Sequence, residues 1–235
     1  MIFKQKIIRI LIKIFDIFSY EKYLVLGDSH ARVFRAPLFK YYYPLTLFDV
    51  CNVEGATVSG LENPNSKTNT LNLFREKLKY KEKYKKIIFL IGEVDTGFVI
   101  WYRVTKHKSS VEKMLQTAVD NYTKLLKEAS LFNHLLIISA PLPTITDDND
   151  WGEVANLRQE INATQLERTE LTIQFNKEIE LYCNSEGFDY LNLDKFSLNE
   201  NKLVKKTLLS TNKGDHHYDV NSYSKLILDK IKNYL

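Results

Sequence analysis

The sequence predicts an α/β protein: a three-layer α/β/α sandwich around a five-stranded parallel sheet, preceded by an N-terminal amphipathic helix. Three observations predict it. Five short apolar runs recur along the 235 residues, each followed by polar or helix-patterned sequence. The runs are nearly continuous in Ile, Leu, Val and Phe, without the alternation of a half-exposed sheet, so both sheet faces are covered. Strands that alternate with helices imply right-handed crossovers and a site at the carboxyl ends of the strands.

In chain order, residues 1–18 come first. Lys6, Arg9, Lys13 and Asp16 fall within one arc at helical spacing, and Ile7, Ile8, Leu11, Ile14, Phe15 and Phe18 occupy much of the rest. A basic amphipathic helix follows. Its charges interrupt the ~20 apolar residues that a membrane span needs, and it lacks a small-residue cleavage site. Two readings stay open: it lies on an anionic leaflet, or it packs on the domain or on a partner subunit. We take residues 1–20 as this helix and 21–235 as one domain. The five strands are expected at 23–26, 46–50, 87–91, 134–139 and 188–193, with helices over 110–130, within 163–183, and over 222–235 as the closing element. Loops around 62–69 and 144–152, rich in Asn, Thr, Pro and Asp, are expected to rim a pocket.

A hydrophobic fraction of 44% in 235 residues supports one sizeable core. The net charge of +4 gives no reason to expect a nucleic-acid partner. The lysines of 77–86 read as a solvated helix end, with a phosphate- or membrane-facing patch as the sharper alternative. Two cysteines, Cys51 and Cys183, are too few for a disulfide framework and lack metal-ligand spacing; both are expected as buried thiols in a reducing compartment.

The chemistry concentrates at two places. The first strand ends in Gly27-Asp28-Ser29-His30 and runs directly into Ala31-Arg32-Val33-Phe34-Arg35. A serine at a strand-to-helix turn projects its hydroxyl above the sheet edge, where amides of the first turn face a developing negative charge. The same residue types cap helices, so this segment alone leaves nucleophile and cap both open. A nucleophile needs a base, and the histidines are His30, His107, His134, His216 and His217. Two of them are adjacent in the polar loop Asp215-His216-His217-Tyr218, which enters the closing helix. A carboxylate beside a histidine fixes its tautomer, and Asp215 is the candidate.

These motifs, in this order and over almost the whole chain, resemble those of the SGNH/GDSL hydrolases. The strand followed by Gly-Asp-Ser is matched by Leu24-Val25-Leu26-Gly27-Asp28-Ser29, and the glycine in the loop after the second strand by Gly60. The motif Gly-x-Asn-Asp is met in part by Gly92-Glu93-Val94-Asp95. The last motif, a histidine six residues before a tyrosine that opens the closing helix, is met by His217 and Tyr223. The resemblance implies an SGNH, flavodoxin-like arrangement in which Ser29 attacks an acyl carbonyl, His217 takes its proton, and the amides of Ser29 and Gly60 receive the oxyanion.

Two positions depart from the family pattern. Val94 stands where the family has an oxyanion asparagine, and Gly214 stands where it has the triad acid, three residues before the histidine. Asp215 is therefore taken as the acid, with a dyad assisted by a backbone carbonyl as the fallback, and His216 is able to exchange roles with His217. Asp28, His30, Glu93, Asp95 and His216 complete the expected oxyanion and substrate-binding set. A purely structural role is open for Asp95, which would accept backbone amides. No set shows the spacing of a closed zinc sphere, so neither metal nor other cofactor is expected. The resemblance implies a serine-dependent esterase or O-acyltransferase acting on acyl, chiefly acetyl, esters of a carbohydrate; the cysteine usage and the basic N-terminal pattern lead us to expect it in the cytoplasm or peripheral to the inner membrane face. The alternative is a catalytically silent glycan-binding or scaffold module.

Overall fold

The computed structural model describes residues 21–131, 134–147, 161, 163–212 and 215–235. The helix expected over 1–20, its boundary with the domain and most of the 144–152 loop lie outside them. Five parallel strands, β1 (Glu21–Gly27), β2 (Thr46–Asn52), β3 (Lys86–Leu90), β4 (His134–Ile138) and β5 (Asp189–Leu191), form one sheet in the order β2-β1-β3-β4-β5. That is the flavodoxin-like doubly wound order, with β1 and β3 meeting at the switch point. All five expected strands are present, displaced by one or two residues at some ends.

Both sheet faces are buried, as continuous apolar runs require. Leu24, Leu26, Ile87, Phe89, Leu135 and Ile137 point to one layer, which holds α2 (Thr70–Leu78), α3 (Ile100–His107), α4 (Val111–Ser130) and α5 (Gln165–Glu186). Tyr23, Val25, Ile88, Leu90, Leu136 and Ile138 point to the other. There they meet a 3-10 helix (Ser29–Arg35), α1 (Pro37–Tyr42) and α7 (Val220–Ile231); the short α6 (Asp194–Ser197) follows β5. The helix ends follow from sequence. The Thr164 side chain accepts from Glu167 N, and Glu167 reaches back to the Thr164 amide, a capping box that starts α5. Gly187, at φ 73°, ends it in the left-handed conformation. Asp219 caps α7 by accepting from Ser222 N.

The segment after Ser29 is helical, a 3-10 helix that the extended Ala36 and Pro37 stop after seven residues. One expectation is corrected. Cys183 is buried, but Cys51 is only partly so, since it lies on β2 at the sheet edge. Among the described residues no helix is long and apolar enough to cross a membrane.

Candidate active site

The site is built where β1 ends. Gly27 is needed there, because a Cβ on it would lie 2.0 Å from the Leu90 carbonyl oxygen; without one, β1 stays against β3 and the Asp28 amide donates to Leu90 O at 3.2 Å. The chain then turns, and Ser29 opens the 3-10 helix with only 3% of its surface exposed.

Two buried carboxylates lace three loops to this point. Asp28 accepts the His30 amide through Oδ1 at 2.9 Å and the Gly92 amide through Oδ2 at 3.3 Å, joining the first motif to the loop after β3. Asp95 accepts the amides of Val58 (2.8 Å) and Ser59 (3.0 Å), joining the β3 loop to the turn that carries Gly60. Asp95 thus makes the loop-holding contacts open to it from sequence. Burial pushes its carboxyl up to about 6, against the lowering effects of Ser59, Val58 and Arg103. Glu93 is buried, with its side chain against Gly97, and Val94 presents an apolar side chain at 9% exposure.

The loop before α7 closes the site. The Thr144 hydroxyl donates to the His216 carbonyl, the Leu142 amide donates to Tyr218 Oη at 2.8 Å, and the Asp219 amide donates to Leu208 O. So held, His217 brings Nε2 to 2.8 Å from Ser29 Oγ, across 188 positions of sequence. Its Nδ1 lies 2.6 Å from Asp215 Oδ1, and its backbone amide donates to the same oxygen at 3.0 Å. Ser29, His217 and Asp215 therefore form one hydrogen-bonded chain, with the carboxylate two residues before the histidine. Gly214 lies outside the described residues. The carboxylate contact at 2.6 Å is a charge-assisted N–H···O bond, which puts the proton on Nδ1 and leaves the Nε2 lone pair facing the serine.

The other expected residues surround this chain. The His30 ring sits 4.8 Å from that of His217 and its Nδ1 lies 3.1 Å from Asp28; the His216 ring lies 4.2 Å from that of His217, tilted by 34°. Burial lowers the pKa of His217, with help from the charges of His30 and Arg32 and against the pull of Asp215, so the imidazole is neutral at neutral pH. Burial would raise that of Asp215, but the His217 amide and ring hold it below its ordinary value. Among the described residues, Asp215, His216 and His217 are the one set with three metal-capable atoms within 4.8 Å of one another. Two of these three residues already belong to the chain that ends at Ser29.

Sequence reasoning missed three contributors. Thr144 and Tyr218 pin the histidine loop through contacts made 72 and 76 positions away, which no local pattern encodes. Arg32 is exposed, and its Nη2 lies 3.1 Å from His217 Nδ1. The signal for Arg32 was its spacing, three residues after Ser29 and so one 3-10 turn along the same side.

No protein-family model matches the sequence, and no curated protein matches it. Solved structures do. A chain of Streptococcus pneumoniae named for platelet activating factor aligns with a TM-score of 0.61 at 16% identity, covering 91% of this chain and 83% of that one. The acetyl xylan esterase AlAXEase aligns at 0.54 and 12% identity, covering 91% and 99%. A GDSL-like lipase from Bacteroides thetaiotaomicron aligns at 0.52 and 15% identity, covering 92% and 89%. With the sheet order, the strand-end serine and the histidine loop before the last helix already in place, these alignments assign the chain the SGNH/GDSL hydrolase fold.

Proposed function

We propose that the chain is a serine-dependent enzyme that cleaves or transfers an acyl group, in the first instance acetyl, held as an ester on a carbohydrate. The observation that carries this reading is the chain from Asp215 through His217 to Ser29, at 2.6 and 2.8 Å. In the proposed reaction Ser29 Oγ attacks the acyl carbon as its proton passes to His217 Nε2. The amides of Ser29 and Gly60 receive the oxyanion. Collapse breaks the bond to the sugar oxygen, which leaves as a hydroxyl with the proton from His217. Water, or a second hydroxyl in the case of transfer, then attacks the acyl-enzyme, giving its proton to His217 and finally returning it to Ser29. A neutral imidazole at neutral pH supports His217 as the base. The fold of an acetyl xylan esterase supports an acetylated carbohydrate as substrate. The basic pattern of residues 1–18, including Lys4, Lys6, Arg9 and Lys13, supports peripheral contact with the cytoplasmic face of a membrane.

Val94 favours a second reading, a silent glycan-binding module, because loss of one oxyanion donor typically costs about 10²–10³ in rate. Acetate release from O-acetylated sugars and short-chain aryl esters separates the two. The enzyme reading expects release by wild type that falls by about 10⁴ or more in Ser29→Ala and His217→Ala. Release indifferent to His217→Ala overturns the mechanism, and no release from any ester by folded wild type favours the silent module.

A further inference from the structure

We infer that Arg32 is a specificity-determining residue that selects esters bearing an anionic group, such as a sugar carboxylate, close to the scissile acyl. This rests on the acyl-ester reading above and deepens it. The starting point is a mismatch. Arg32 Nη2 lies 3.1 Å from His217 Nδ1, but that nitrogen carries the proton it donates to Asp215 at 2.6 Å. A guanidinium has only donors, so with the Nδ1 proton directed at Asp215 this nitrogen offers Arg32 no lone pair, and the 3.1 Å contact is one of proximity.

The other four described arginines have acceptors. Arg35 donates to Val50 O, Arg75 to both oxygens of Glu128, Arg103 to Ser59 O, and Arg168 to Ile145 O and Asp147. Arg32 has no such acceptor among the described residues, yet it is exposed, on the same short helix as the nucleophile. With Ser29, His30, His217 and Tyr218 it lines one small crevice, on the Nδ1 side of the His217 ring. Its charge acts on Asp215, but no hydrogen bond joins the two among the described residues, so the planar fork keeps donors for the two oxygens of a carboxylate, or those of a sulfate or phosphate ester.

The same placement ties the anion to turnover. The groups facing the His217 ring are Asp215, Arg32, His30 and His216. The positive charge of Arg32 opposes formation of the imidazolium, and a substrate anion paired with Arg32 offsets that charge at the moment the serine proton arrives. Anionic esters therefore gain in kcat as well as in KM.

The test compares an O-acetylated hexuronic acid with the corresponding O-acetylated neutral hexose in wild type, Arg32→Gln and Arg32→Lys. Wild type is expected to prefer the acid by about tenfold or more in kcat/KM, as one exposed charge-assisted pair gives. Arg32→Gln brings the ratio close to one, and Arg32→Lys, which keeps the charge without the fork, lies between. The preference shrinks as salt rises. No preference in wild type, or an equal loss on both esters in Arg32→Gln, overturns the assignment. If wild type cleaves neither ester, the acyl-ester reading fails instead. Calorimetric binding of free hexuronate against neutral hexose then still decides on Arg32: selective binding lost in Arg32→Gln supports it, and equal binding refutes it.

Discussion

His217 sets the pH dependence. Burial, followed by the neighbouring charges of His30 and Arg32, holds its pKa below the ordinary histidine value, and Asp215 only partly offsets them. The acid limb of kcat/KM is therefore expected below about pH 6.5 with a plateau at neutrality, and a midpoint above 7 would contradict the assignment. Asp95 acts on stability. Its replacement by alanine leaves the buried amides of Val58 and Ser59 without their acceptor, at about 1–3 kcal/mol each, read as a lower urea midpoint. Its folded pKa, about 6, lies above the unfolded value, so its stabilisation is full below about pH 4 and declines as pH rises through 6. The penalty of Asp95→Ala is thus larger at pH 5 than at pH 8. Ser29 and His217 were legible because motif order and the spacing to Tyr223 single them out, and Asp215 because it is the carboxylate beside the histidines, although the family spacing points to Gly214. Arg32 was not, because its significance lies in a proton on another residue 185 positions away.

At the level of elements, strands were the most legible feature, since a fully buried parallel strand writes itself as an uninterrupted apolar run. The irregular segments were not. A π-helical turn over Asp95–Val99 follows the Gly92 loop, held by the Thr96 hydroxyl on Gly92 O, by Trp101 Nε1 on Thr96 O, and by Thr172 from α5 on Thr96 Oγ1. The last of these contacts joins residues 76 positions apart, and no periodicity in the sequence announces it. Close approach also explains why Gly92 has to be glycine. It sits at φ 131°, and a Cβ there would come within 2.5 Å of the Phe175 ring. Gly92→Ala is expected to cost at least about 1–3 kcal/mol through overpacking, with the strained backbone adding to it. A thermal melt unchanged from wild type would show that the loop yields at little cost.

For the molecule as a whole, the sheet order brings the early serine and the late histidine to one carboxyl edge, while the exposed Tyr41, Tyr42, Leu45 and Tyr80 lie before β2 and β3 at the amino edge. The site is completed only when β1, the β4 loop and α7 are all assembled. Activity and far-UV circular dichroism are accordingly expected to fall together in urea, whereas activity lost well before the secondary structure would mark the histidine loop as a separately unfolding unit. The contact between Ser29 and His217 carries the rest of the account, and covalent labelling reads it directly. Treated with a fluorophosphonate, wild type is expected to gain one adduct, located by peptide mass spectrometry on Ser29, with His217→Ala labelled far more slowly. A folded wild type that stays unlabelled, or a Ser29→Ala variant that labels at the wild-type rate, would contradict it.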